Sequence, residues 1–282
     1  MQLHQTTFPT ESSGPHLPAL LLQPTNPLAL LVFGHGAGTP TRAPLMHHMA
    51  QALAHHHIAT FRYDYPYSHR LQAGYTEDLI DPLGVLLATT RAAIQAAQDL
   101  APDLPLFLAG RSMSAQVMSL LLAREPLPHV HGLICYVYPN RWRALLPDTL
   151  AHLPRVPVPM LFIQGARDPE YCDLIQLQSV LDQRRTPPVI PAQAGTQHHA
   201  RSQRTPPSRS PGPQGAPPPA RTSHLHTLHV IHDADHAFQL PPNANRTHHD
   251  AILEATTTTA TWIHHQLKAS KEAPPHPSWS LP

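Results

Sequence analysis

Nearly unbroken apolar runs recur along this chain at 28–33, 58–63, 132–138, 158–164 and 225–231, and another begins at Leu104. Consecutive apolar positions, as opposed to alternating ones, predict strands covered on both faces. Residues 17–23 predict a further strand, joined to the next by the turn signal Pro24-Thr25-Asn26-Pro27. Between the runs the apolar positions fall three and four apart. Leu45, Met49, Ala52 and Leu53 predict a helix over 43–56, and similar spacing predicts helices over 77–100, 115–124, 171–183 and 250–267. Thr76 is the expected N-cap of the second. The Thr256-Thr257-Thr258-Thr259 run is a poor helix former and must rely on packing. Strands alternating with helices give an α/β class: a doubly wound, mostly parallel sheet flanked by helices. Ligands bind such sheets beyond the carboxyl ends of the strands.

The alternation breaks at 184–223, which is dense in Pro, Arg, Ser, Gln and Gly and has almost no large apolar residue after Ile190. Such a segment cannot bury enough surface to offset its ordering entropy, so it reads as a disordered insertion. Its Val189-Ile190-Pro191-Ala192-Gln193-Ala194-Gly195 looks like the translation of a dispersed repeat element. A proline-rich partner ligand is the functional alternative. Long surface insertions add little closure entropy, so a site built on the flanking elements can survive. Residues 271–282, with Pro274, Pro275 and Pro277, read as a disordered tail. The remainder of 1–270 is expected to form one domain.

Composition narrows the function classes. The 282 residues carry a formal net charge of +1 with 13% charged residues, so nothing points to nucleic acid or an acidic partner. No apolar run approaches the roughly 18 residues needed to span a bilayer. The opening Met1-Gln2-Leu3-His4-Gln5 lacks both the basic and the apolar region of a leader peptide. Cys135 and Cys172 have no framework spacing and read as reduced packing cysteines. These observations together point to a cytoplasmic protein without membrane association. The histidine clusters at 47–48, 55–57, 248–249 and 264–265 lack a helical His-Glu-x-x-His pattern, so surface histidines are expected and no metal.

The candidate chemistry sits where strands end. The run from Leu104 enters Gly110-Arg111-Ser112-Met113-Ser114, which opens a predicted helix. A sharp turn there holds a serine Oγ above the sheet edge, with the next backbone N–H facing a developing oxyanion. The run at 158–164 delivers Asp168, and the run at 225–231 delivers His236. In a hydrogen-bonded relay, His236 would take the Ser112 proton while Asp168 fixes the imidazole tautomer. The flexible turn Gly34-His35-Gly36-Ala37-Gly38 can bring a second N–H, that of Ala37, beside that of Met113.

Each assignment has a plainer rival. Ser112 could be only a helix N-cap. Asp168 could cap the following helix, with Asp173 as its substitute in the relay. His229 and His232 compete with His236. Arg111 could hold the turn or a substrate carboxylate; Arg62, Asp64 and Tyr67 could line an entrance or tie a loop down.

These residues resemble a known family. His35-Gly36-Ala37-Gly38, Phe61-Arg62-Tyr63-Asp64-Tyr65-Pro66-Tyr67, Gly110-Arg111-Ser112-Met113, Asp168 and Asp233-Ala234-Asp235-His236 look like the small α/β-hydrolases related to dienelactone hydrolase, and within them the KANL3/Tex30 hydrolase-like group. The resemblance covers residues 17–268 apart from the insertion. It implies an α/β-hydrolase fold and the triad roles above, not a substrate. The residues themselves point to a serine hydrolase that cleaves an ester, thioester or lactone of a small acyl substrate through an acyl-serine, without a cofactor. A non-catalytic scaffold of the same fold that binds a protein partner is the alternative. One position departs from the pattern: Ser114 stands where the family elbow carries glycine, and crowding is expected there.

Overall fold

Residues 1–10, 16–73, 79–125, 127–183 and 226–272 are described by a computed structural model. A strand with every residue buried needs cover above and below its sheet. Four central strands meet that condition: β3 (Ala29–Gly34), β4 (Ile58–Tyr63), β5 (Leu106–Arg111) and β7 (Met160–Gly165). With β1 (Gln2–Pro9), β2 (His16–Gln23), β6 (Val130–Tyr136) and β8 (His226–Ile231) they form an eight-stranded sheet in the order β1-β2-β4-β3-β5-β6-β7-β8. Strands β1 and β2 run antiparallel to their neighbours, and the rest are parallel.

Alternation within each strand divides the core. Leu30, Val32, Leu108 and Phe162 face α2 (Leu83–Leu100), α3 (Met113–Arg124) and α4 (Leu174–Gln183). Leu31, Phe33, Phe107 and Ile163 face α1 (Pro44–His55) and α5 (His248–Glu272). Strand order reverses at β3: the chain steps outward to β4, then returns across β3 to β5. The carboxyl ends of β3 and β5 therefore lie side by side, with Gly34 paired in register with Gly110. A reversal of this kind opens the crevice in which doubly wound sheets bind ligands.

The structure moves several boundaries. Helix α2 starts at Leu83, after Pro82. A residue preceding proline is disfavoured in helix, and Asp81 instead accepts the Tyr67 N–H at 2.8 Å and an Arg70 N–H at 2.9 Å. The expected Thr76 cap lies outside the described residues, as do the insertion at 184–223 and the tail from 273. Helix α5 continues through Glu272. Its threonines bond backward, Thr256 Oγ1 to the Ile252 carbonyl and Thr259 Oγ1 to that of Ala255, at 2.8 and 2.9 Å. Their polar groups are thus satisfied inside the packed face. Strand β1 has no counterpart in the sequence reading, because Phe8 is its one buried residue.

Candidate active site

The turn between β5 and α3 is strained. Ser112 sits at φ 50° and ψ −115°, a region that non-glycine residues rarely occupy. Surrounding contacts enforce it. The Ser112 N–H donates to the Tyr136 carbonyl at 2.9 Å, and the Ala115 N–H donates to the Ser112 carbonyl at 2.9 Å. Gly110 must be glycine, since a Cβ there would lie 2.3 Å from the Ala115 nitrogen.

Ser114 is fully buried, and the space for it comes from the neighbouring strand. A Cβ on Gly34 would fall 2.7 Å from the Ser114 Cβ, so a glycine on β3 accommodates the side chain at 114. The Ser114 hydroxyl accepts the Arg111 N–H at 3.0 Å and donates to the Arg111 carbonyl at 3.1 Å. The expected crowding is therefore resolved by a compensating glycine that becomes visible once the strands are paired.

Ser112, His236 and Asp168 come together. Ser112 Oγ lies 2.9 Å from His236 Nε2, and His236 Nδ1 lies 2.6 Å from Asp168 Oδ2. A carboxylate only accepts hydrogen bonds, so Nδ1 carries the proton and Nε2 is left to accept from the Ser112 hydroxyl. The Asp168 side chain is 2% exposed and that of His236 19%, so the relay runs from the interior to an accessible edge. Tyr171 stacks on the imidazole with ring centroids 4.3 Å apart. The loop carrying His236 is shaped by Asp235, whose Oδ1 accepts the N–H groups of Ala237 and Gln239, each at 2.8 Å.

The rivals are placed elsewhere. The Ser112 side chain makes no helix-capping hydrogen bond. Asp173 takes the capping role before α4, accepting the Gln176 N–H at 3.0 Å, and it also pairs with Arg141. His229 bonds Glu254 at 2.8 Å, and His232 is exposed.

The 35–43 segment is pinned from below. His35, fully buried, donates from Nδ1 to the Gly36 carbonyl at 2.8 Å and accepts at Nε2 from the Ser68 hydroxyl at 2.9 Å. Burial holds its pKa below the ordinary histidine value, and Asp64 opposes that shift only in part. Asp64 accepts the Thr41 N–H at 2.9 Å, Arg62 donates to the Thr41 carbonyl at 3.2 Å, and the Tyr67 hydroxyl donates to the Ala37 carbonyl at 2.9 Å. Arg62, Asp64 and Tyr67 thus tie this loop down. Among the described residues, the N–H groups of Ala37 and Met113 donate to no backbone carbonyl. Arg111 is 6% exposed and reaches the His236 carbonyl and Thr39. The parts played by Gly34 and Tyr171 carry no signal in the sequence pattern, since each depends on a neighbour distant in the chain; that of Asp235 lies in its local hydrogen bonds to Ala237 and Gln239.

Among the described residues no three His, Cys, Asp or Glu side chains gather as a metal site, and Cys135 and Cys172 are buried free thiols. No described helix is long and apolar enough to cross a membrane.

Residues 27–205 match the alpha/beta hydrolase domain family. None of the curated proteins matches the sequence. Similar solved structures include a dienelactone hydrolase from Anabaena variabilis, 17% identical with a TM-score of 0.62, covering 94% of this chain and 99% of that one. Est1E from Butyrivibrio proteoclasticus is 13% identical with a TM-score of 0.59, covering 94% and 99%. XC6422 from Xanthomonas campestris, described as an α/β serine hydrolase without lid, is 17% identical with a TM-score of 0.56, covering 98% of each chain. Identities this low make the likeness one of fold.

Proposed function

Because the chain belongs to the alpha/beta hydrolase domain family, we propose that it is a serine hydrolase that cleaves an ester, thioester or lactone of a small acyl substrate. The observation that carries this reading is the unbroken line Asp168–His236–Ser112, at 2.6 and 2.9 Å, ending on a serine held in a strained turn. In the reaction the Ser112 Oγ–carbonyl carbon bond forms as His236 Nε2 takes the hydroxyl proton. The carbonyl electrons move onto oxygen, where the N–H groups of Ala37 and Met113 receive the charge. The tetrahedral species collapses, the bond to the leaving group breaks, and His236 returns the proton to it. Water then repeats the sequence against the acyl-serine. Asp168 holds the tautomer and stabilises the imidazolium. The steps use the chain's own groups and need no metal or organic cofactor.

The enzyme is a single α/β-hydrolase domain over residues 1–270, interrupted at 184–223, and acts in the cytoplasm. Its place in the KANL3/Tex30-like group rests on His35-Gly36-Ala37-Gly38 and Gly110-Arg111-Ser112-Met113.

The test is labelling of purified protein with a fluorophosphonate probe, read by intact mass and peptide mapping. A single adduct on Ser112, abolished in Ser112→Ala and His236→Ala, is the expected result. A folded sample that takes up no probe would overturn the enzymatic reading and leave the scaffold.

A further inference from the structure

Arg111 is a buried cation beside the nucleophile with no carboxylate in ion-pair contact among the described residues. Burying a guanidinium is costly unless its donors are satisfied by well-placed acceptors. Here Nη2 donates to the main-chain carbonyl of His236 at 3.0 Å, and Nη1 donates to Thr39 Oγ1 at 3.3 Å. Nε is buried with no hydrogen-bond partner. A side chain kept for packing alone would not need a charge there. The backbone has also been cleared for it: a Cβ on Gly36 would stand 2.5 Å from Nη1.

The two acceptors lie on different loops. Thr39 belongs to the segment that carries Ala37, and His236 to the loop after β8. Arg111 itself belongs to the elbow, and its N–H and carbonyl are both held by the Ser114 hydroxyl. A single planar fork therefore ties the elbow that carries Ser112 to the loop that carries His236 and to the loop that carries Ala37. We propose that Arg111 is a positioning residue: its guanidinium anchors the His236 main chain and the Thr39 loop against the elbow, and Ser114 braces it from behind.

This proposal rests on the serine-hydrolase reading for its kinetic consequence, though not for its geometric one. Charged and titratable groups facing this region are Asp168 from the β7 loop, Asp235 from the His236 loop and His35 from the β3 loop. Tyr171 covers the imidazole face. Burial pushes the Arg111 pKa down to about 10 while Asp168 and Asp235 pull it up, so the fork stays charged at neutral pH. Lysine would keep the charge and lose the fork, since one ammonium cannot meet both acceptors in the same geometry.

The test compares full-length wild type with Arg111→Met, Arg111→Lys and Thr39→Val. Each is characterised by melting temperature, by crystal structure, and by kcat and KM on p-nitrophenyl acetate. Arg111→Met is expected to lower kcat by ~10²-fold with KM little changed, the signature of misplacement and not of lost binding. In its crystal structure His236 Nε2 should leave hydrogen-bonding distance of Ser112 Oγ. Arg111→Lys should recover part of the loss, and Thr39→Val should fall a few-fold. Arg111→Met with wild-type kcat and an unmoved His236 overturns the proposal. Should that variant not fold, wild-type kcat together with an unmoved His236 in Arg111→Lys overturns it instead. Should wild type neither label nor hydrolyse, the hydrolase reading fails; the position of His236 in the variant crystals still decides for or against the anchor.

Discussion

Two serine–histidine pairs lie along the same helix, and they differ in the direction of one proton. At its N-terminus Ser112 meets His236 at 2.9 Å; two turns on, Ser119 meets His152 at 2.8 Å. In the first pair Asp168 fixes the imidazole proton on Nδ1, so Nε2 accepts. In the second, the Ser119 hydroxyl is committed to the Gln116 carbonyl at 3.0 Å, so Nε2 of His152 must donate. Among the described residues no carboxylate is ion-paired with His152. Asp148 caps backbone instead, accepting the N–H groups of Leu150 and Ala151, each at 3.0 Å. Ser119 is moreover in ordinary buried helix, without the positive φ of Ser112. A short Ser–His distance is thus common to the arrangement proposed to be reactive and to one that is proposed to be structural. The far ring nitrogen and the serine's other partner separate them.

The sharpest way to break this contrast is to remove each hydroxyl. Ser112→Ala should abolish fluorophosphonate labelling and lower ester hydrolysis by ~10⁴–10⁶-fold, whereas Ser119→Ala should label at the wild-type rate. Labelling of Ser119 in either protein would end the distinction. Next comes the carboxylate. Asp168→Asn leaves the shape but permits the wrong tautomer, and kcat should fall ~10⁴-fold; Asp148→Asn, which keeps its acceptor oxygen, should leave kcat unchanged.

The His152 pair also responds to acid. Burial lowers the His152 pKa from 6.5 to about 4, with Arg155 adding to the shift and Asp148 opposing it. A base whose folded-state pKa lies below its unfolded value takes up its proton first in the unfolded chain. Its contribution to stability is therefore complete above pH 6.5 and lost as pH falls toward 4, by ~3 kcal/mol in all. Denaturant midpoints at pH 7.5 and 5 should show ~2 kcal/mol of this loss in wild type and less in His152→Gln. His35 and His131, also lowered by burial, contribute to the acid sensitivity that remains. The smallest effect concerns the first turn of α3. Gly34→Ala should cost ~1–3 kcal/mol by crowding Ser114, Ser114→Gly ~1 kcal/mol by lost hydrogen bonds and helix propensity. The double variant should be more stable than the sum of the two losses allows, since removal of the Ser114 side chain relieves the clash.

Much of this architecture was legible in the chain. The runs at 28–33, 58–63 and 158–164 became buried strands because both faces of a central strand demand apolar residues. Ser112, Asp168 and His236 could be ordered because each follows a strand end. What escaped depended on neighbours distant in sequence. Gly34 looked like part of a flexible turn, and its use emerges only when β3 lies beside β5. Arg111 could be read two ways until the His236 carbonyl lay next to its guanidinium. The start of α2 lies later than the pattern predicts because helical periodicity carries through Pro82, and strand β1 leaves little signal because an edge strand buries little.

The fit between Gly34 and Ser114 gives the fold a history with a direction. With serine at 114, position 34 cannot leave glycine without a steric collision, whereas glycine at 114 would leave the Tyr63 hydroxyl, 3.1 Å from a Cβ at 34, as the neighbour that has to give. Relatives that carry a larger residue at the end of β3 should therefore be found with glycine in the elbow. A lineage that acquires the serine closes the alternative behind it until that serine is lost.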